Sequence, residues 1–414
     1  MVVGVMRLRL ASPRVVIVGG GVIGAAVGYY LAREGADVTV LEREGVAAGT
    51  SGACEGLLLL QSKKPGIHLQ MAVESIRMYE GLSEELRRWG DIEFRRTGGL
   101  FIIEDEGSYA RLRSTSLLQA ECGVEVRFLT ADEVLDLEPA LSPPAYGAAY
   151  TASDGKVNPM ALCFALAAGI KALGGRLLRG VDVTGLMVRS DRVCGVTTSQ
   201  GGFEADIVVN AAGVWANAIL KGLGFELPIR PRRGQILVTE AVEPTLLRPV
   251  VGATYAHFKF GAEAVLESRS QFQRLGGTVI LDQHAAGNFL LGSTREFVGY
   301  DGRVTVEGLS GIAGAAVRLM PRLANTSVIR CFAGFRPHTP DGLPVLGAIP
   351  GGPEGLVMAA GHEGDGITLA PLTAKWISGL IMGCAGRAFL GGGTDGAARF
   401  PAHAFSAARF SVDH

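Results

Sequence analysis

A chain of 414 residues, 48% hydrophobic and 19% charged, is long enough for about two to three domains and apolar enough to bury a large core, which excludes general disorder. Its formal net charge of −1 gives no electrostatic reason to expect nucleic acid or an anionic membrane as a partner. The six cysteines (Cys54, Cys122, Cys163, Cys194, Cys331 and Cys384) stand singly, so no metal or redox-disulfide site is expected, and a reducing compartment is.

The opening MVVGVMRLRLASP does not read as a signal peptide, because Arg7 and Arg9 interrupt its short apolar stretch. No apolar run reaches the ~18 residues of a spanning helix. The expected location is the cytoplasm, at most peripheral at the inner face of a membrane. Arg14 to Val18 (RVVIV) has the continuous branched pattern of a strand buried on both faces. Val22 to Arg33 reads as a helix and Asp37 to Leu41 as a second buried strand, which makes a βαβ unit.

Between these elements, Gly19-Gly20-Gly21-Val22-Ile23-Gly24 fits G-x-G-x-x-G. Gly19 permits the tight turn, Gly21 admits a pyrophosphate against backbone, and Gly24 allows close helix–strand packing. Glu42 ends the next strand, where a ribose hydroxyl needs an acceptor, and Arg43 follows it.

Further along, His68 to Trp89 and Ala110 to Cys122 are helical in pattern, and Gly98 to Ile103 is strand-like. After the turn Asp154-Gly-Lys-Val-Asn-Pro come a helix from Pro159 to Leu173 and strands near Arg176, Val183, Val193 and Ala205 to Asn210. From Gly234 to about Arg330, short β-rich stretches alternate with turns, and doubly wound character returns near Ile329. Thr368 to Leu380 reads as a final helix. The expected organisation is a dinucleotide-binding domain in three pieces (14–90, 150–233 and 329–385) and a sheet domain in two (91–149 and 234–328). Residues 1–13 and 386–414 are expected to be terminal extensions.

Gly49-Thr50-Ser51-Gly52-Ala53-Cys54-Glu55-Gly56-Leu57 resembles the second small-residue loop of the D-amino-acid oxidase superfamily, which wraps the FAD pyrophosphate and meets the flavin edge. The resemblance implies FAD, with backbone contacts at Ser51, Gly52, Gly56 and Leu57. It implies an adenine contact at Val183 and phosphate contacts from Ala212, Gly213 and Trp215 within Val-Asn-Ala-Ala-Gly-Val-Trp. Near the C-terminus, Gly361-His-Glu-Gly-Asp-Gly-Ile-Thr368 is similar to the segment that opens the last helix against the flavin, with Gly364, Gly366, Ile367 and Thr368 as contacts. The implied fold is α/β plus α+β: a Rossmann-type FAD-binding domain in discontinuous segments, interleaved with an antiparallel-sheet substrate domain.

Gly334-Phe-Arg336-Pro-His338-Thr-Pro-Asp341-Gly-Leu-Pro344 is similar to the substrate-anchoring segment of glycine and D-amino-acid oxidases. In those families the arginine pairs with the substrate carboxylate, for which a guanidinium fork is suited. The alternative is an Arg336 that only braces Asp341 or a loop carbonyl. His338 is a weaker candidate, either structural or catalytic.

Gly287 to Gly299, Arg232-Arg-Gly-Gln235 and Gly361 to Gly364 resemble the flavoprotein subunits of proline and hydroxyproline dehydrogenases, opine oxidases and hydrogen cyanide synthase. That branch implies oxidation of a C–N bond in a small amino acid or amine by hydride transfer to the flavin. Electrons would pass to a partner subunit or a quinone. Oxygen is the rival acceptor, and a non-catalytic FAD subunit the rival role. Some members also carry FMN at a subunit interface, for which the pair Lys63-Lys64 is the candidate phosphate contact, with a solvated charge pair as the alternative.

Overall fold

The computed structural model describes residues 12–255, 259, 270–383 and 400–410. Cys384 and most of both expected terminal extensions lie outside these residues. One sheet has six strands, in the order Val345–Gly347, Leu356–Ala360, Ile207–Asn210, Arg14–Val18, Asp37–Glu42 and Arg176–Arg179. All neighbours in it are parallel except the first pair. The alternation of its central strand explains both covering layers. Val15 and Ile17 join the core made with the helices Val22–Arg33, Pro159–Ala172 and Gly366–Ile381. Val16 and Val18 face the other way, onto the three-stranded meander Val183–Arg189, Arg192–Thr198 and Gly201–Glu204.

The first helix is buried from Val22 to Ala32, so it is apolar on every side. Burying a side chain such as Val27 or Leu31 stabilises by about 1.5–3 kcal/mol. Gly28 sets the depth of this packing, because a Cβ there would sit 2.9 Å from Ile170 Cδ1.

The second large sheet has eight strands, in the order Val328–His338, Arg230–Ala241, Asn288–Gly292, Ile280–Gln283, Val250–Gly252, Gly99–Ile102, Ala148–Thr151 and Arg127–Leu129. It is antiparallel except where Val250–Gly252 meets Gly99–Ile102 in parallel. One face packs on the helix Val306–Leu319, through Leu237, Leu281 and Leu291 against Ile312, Ala316 and Leu319. Sequence places the return to the doubly wound sheet at residue 329. In the structure Val328–His338 still pairs with Arg230–Ala241, and the six-stranded sheet resumes at Val345–Gly347. The apolar run at Val328 and Ile329 is exposed at a sheet edge, so its composition reads as buried strand while its position is not.

Asp282 of this sheet is buried between Lys156 Nζ at 3.1 Å and His284 Nε2 at 3.2 Å. Burial works against both charges, but the pair outweighs it: Asp282 lies below the usual carboxylate range and His284 above 6.5. A raised histidine stabilises fully below its unfolded pKa, and that contribution is lost as pH rises through the folded value. Asp282 contributes above its unfolded pKa and loses that contribution only in acid. His284→Asn should therefore lower the melting temperature more at about pH 5.5 than at about pH 8.5, with a stability difference on the order of 1 kcal/mol. Thermal melts of both proteins at the two pH values test this, and a deficit independent of pH would contradict it.

Candidate active site

A cavity of about 630 Å³ lies between the two sheets. At one end it is walled by the first glycine turn. Gly19 takes a φ of +108°, and a Cβ there would lie 2.7 Å from the Ala211 carbonyl oxygen, so only glycine makes this turn. Gly21 caps the first helix without any side-chain cap, and a Cβ on it would point at Ser51 Oγ, 3.1 Å away. The start of the helix therefore borders the cavity, where its positive end suits a phosphate. A Cβ on Gly24 would run into the Gly19 carbonyl, so this glycine serves packing and stands off the cavity wall.

Glu42 lines the same end. Its oxygens accept from the Gly20 amide at 2.7 Å and the Glu44 amide at 2.8 Å, which fixes the carboxylate and leaves lone pairs for a ribose hydroxyl. Arg43 stacks 4.1 Å over Trp215, and the two residues close that end together with Val183, Ala212 and Gly213.

The loop from Thr50 joins the two sheets. Ser51 Oγ accepts from the Val22 amide at 2.9 Å, and Thr50 Oγ1 donates to the Phe335 carbonyl at 2.5 Å. Gly52, Gly56 and Leu57 stand behind the wall. Gly52 lies against the Ala47 carbonyl, Gly56 takes a φ of +85° against the Val157 carbonyl, and Leu57 pairs with Lys156. Gly364, Gly366 and Ile367 line the cavity where the last helix begins, while Thr368 is buried within its first turn. The positive end of that helix thus borders the cavity.

At the inner end Arg336 enters from the Val328–His338 strand. Its guanidinium lies across Gly234, donating to Thr294 O and Ser293 Oγ at 3.0 Å each. Asp341 is instead held by Arg409 at 2.7 Å, so bracing Asp341 is not the role of Arg336. His338 is on the same strand but outside the cavity lining, edge-on to Phe297 with ring centroids 5.1 Å apart. Burial lowers its pKa.

Lys63 and Lys64 part company. Lys64 is exposed, whereas Lys63 is turned inward, 2.6 Å from Asp365 Oδ1. This corrects the expectation of an accessible lysine pair for an FMN phosphate: Lys63 already has a buried carboxylate partner.

Four charged residues of the site were not singled out from the sequence. Arg232 is buried and paired with Glu363, which has a φ of +49°, unusual for a residue with a side chain. Burial alone would raise the Glu363 carboxyl, but Arg232 and Lys259 hold it down to about 2. Arg295 is buried beside Tyr255. Glu55 lines the cavity with Oε1 unpaired, and burial pushes its pKa up against the pull of Arg336. Glu55 and Arg295 lie inside glycine-rich segments already notable in sequence, and Glu55, the lone charge of its segment, carries a signal that could have marked it.

Comparison with known proteins decides the family. The profile described as FAD dependent oxidoreductase (DAO) matches residues 14–380. The chain belongs to this family. It is 33% identical over 373 residues to a glycine oxidase from Geobacillus kaustophilus, covering 89% of this chain and 92% of that one. It is 31% identical over 409 residues to hydrogen cyanide synthase subunit HcnC of Pseudomonas protegens, with the same coverage of 89% and 92%. The crystal structure of glycine oxidase from Geobacillus kaustophilus superposes with a TM-score of 0.82 at 28% identity, covering 97% of this chain and 100% of that one. That of L-proline dehydrogenase from P. horikoshii gives 0.81 at 25% identity, covering 96% and 98%. The DAO-family chain is therefore an FAD-dependent oxidoreductase, and its cavity fits that cofactor: a helix start behind a bare glycine, a fixed acidic residue suited to a ribose, and a second helix start at the far side. Among its described residues, no helix is long and apolar enough to cross a membrane.

Gly21→Val should abolish FAD retention while the chain still folds, since its side chain would fill the phosphate cradle. Glu42→Ala should only weaken retention, because one hydrogen bond is worth about 0.5–1.5 kcal/mol net. Flavin-to-protein absorbance ratios after gel filtration test both, and equal loss in the two variants would contradict the assigned roles. Desolvation pushes the Cys54 thiol up to about 12, so it is protonated at neutral pH and unsuited to bonding the flavin covalently. Acid precipitation should accordingly release the yellow chromophore, and a coloured pellet would show otherwise.

Proposed function

We propose that this protein oxidises the carbon–nitrogen bond of an amino acid or related amine, with Arg336 anchoring the substrate carboxylate. The supporting observation is the Arg336 guanidinium at the inner end of the cavity. Among the described residues it is held by a carbonyl and a hydroxyl, with no carboxylate hydrogen-bonded to it, so its charge is available to an anionic substrate.

FAD, when bound, supplies the acceptor for the hydride that leaves the substrate carbon bearing nitrogen. The chain's own residues bind and orient. Gly19, Gly21, Glu42, Arg43 and Ser51 would hold the dinucleotide, with Val183, Ala212, Gly213 and Trp215 closing over its adenosine end. Gly364, Gly366 and Ile367 present the start of the last helix, whose dipole favours negative charge developing nearby. Arg336 fixes the carboxylate and thereby the carbon to be oxidised. Burial raises the Glu55 carboxyl against the pull of Arg336, which favours a neutral group beside that position and lessens repulsion of a substrate anion. No base is required if the amine binds unprotonated.

The relative named as a synthase subunit favours a partner or quinone as electron acceptor. The glycine oxidases favour oxygen. Oxygen uptake measured against dye reduction with the same substrate separates the two.

Arg336→Ala should retain FAD and lose at least about tenfold in kcat/KM, since a charge-assisted pair is worth roughly 1.5–3 kcal/mol. Arg336→Lys keeps the charge, loses the fork and should be intermediate. On an amide analogue of the substrate, wild type and Arg336→Ala should converge. Wild-type rates for Arg336→Ala on the carboxylate substrate would place the anchor elsewhere.

A further inference from the structure

Arg295 is 7% exposed, yet among the described residues Nε, Nη1 and Nη2 all lack a hydrogen-bond partner. Its guanidinium lies 4.1 Å over the ring of Tyr255, which lines the cavity. A cation–π contact offsets part of the burial and satisfies none of the N–H donors. Burial lowers the pKa to about 10, so the group is still cationic at neutral pH. A buried, unpaired guanidinium is strongly unfavourable unless a counter-ion arrives.

Arg295 is not itself part of the cavity lining; the strand geometry sets it on the cavity side of the sheet, behind Tyr255. Leu291 pairs with Leu237 on the helix-covered face, and strict alternation would put Arg295 on that face too. The pairing then slips by one residue, so that Arg233 meets Glu296. Ser293, the residue two before Arg295, consequently reaches Arg336 in the cavity. After Tyr255, the groups acting electrostatically on Arg295 are Arg336, Arg232 and Glu363.

The carboxylates nearby are already committed. Glu363 is paired with Arg232, and Asp365 with Lys63 and Lys259. Burial favours the neutral form of Glu55. A substrate with one carboxylate answers Arg336 and leaves Arg295 unmatched.

We propose that Arg295 anchors a second carboxylate, and that the substrate is a dicarboxylic amine. This rests on the reading of the cavity as an amine-oxidising site. The second acid is carried either on the substrate nitrogen, as a carboxyalkyl group, or on an acidic side chain.

The test is anaerobic flavin reduction in the FAD-loaded protein. Iminodiacetate and both enantiomers of aspartate and glutamate are compared with sarcosine, alanine and 2-aminobutyrate. A diacid should reduce the flavin with an efficiency at least about tenfold above its matched monoacid, and Arg295→Met should cut that ratio at least about tenfold. Bleaching by iminodiacetate places the second acid on nitrogen, and bleaching by aspartate or glutamate places it on the side chain. Should Arg295→Met fail to fold, wild type still answers, because glutarate should raise the melting temperature of the oxidised protein more than butyrate. Monoacids matching diacids, or equal shifts by glutarate and butyrate, would overturn the assignment and leave amine oxidation standing. Bleaching by no amine at all would remove the amine-oxidation reading and this inference with it.

Discussion

Two carboxylates at the start of the last helix tie the halves of this molecule together. Glu363 reaches Arg232 on the eight-stranded sheet, and Asp365 gathers Lys63, Lys259 and His68. Every member of this set is at most 4% exposed by side chain, so each charge depends on its partners. Removing one partner from such a pair costs about 3–5 kcal/mol, because the other charge stays buried. The left-handed backbone at Glu363 fits this view, since a strained residue persists only where its surroundings over-determine it.

The same cluster sets the electrical character of the cavity. Asp365 is held well below the usual carboxylate range against the effect of burial, by Lys259 and Lys63. Burial lowers Lys259 to about 7 in spite of Asp365. Burial takes His362 down to about 3, so its imidazole is neutral where it meets Thr373 at 3.1 Å. The inner end of the cavity carries the Arg336 guanidinium, with Arg295 behind Tyr255, and the outer end combines main-chain amides with the side chains of Glu42, Arg43 and Trp215. On the proposed reading, an anionic substrate and the dinucleotide would occupy opposite ends of one space.

Much of this was legible in the sequence because the cofactor end depends on backbone. The Gly19–Gly24 turn works through missing Cβ atoms, and its neighbours follow at fixed offsets along one βαβ unit. Arg336 was legible through its place in a recognisable segment. Arg295 was not, since its direction is decided by a one-residue slip against a strand some sixty residues away. Lys63 and Lys64 look equivalent side by side on a loop. Only the fold shows that one faces Asp365 and the other faces water. Val328 and Ile329 illustrate the same limit, because an apolar pair at a sheet edge carries no mark of which sheet it joins.

Gly234 and Gly334 stand directly opposite each other on adjacent strands. A Cβ on Gly334 would lie 2.8 Å from Ala53 of the cofactor loop, and one on Gly234 would strike the Arg336 guanidinium. At Gly334 no side chain of the sheet intervenes, so the strand comes into close contact with Ala53 there. A methyl group at either position would act as a shim, shifting Arg336 or its strand relative to the loop and so moving the proposed substrate anchor. Displacements of about 1 Å can change a rate by about a hundredfold. The gauge of this active site is thus fixed by two absent carbon atoms.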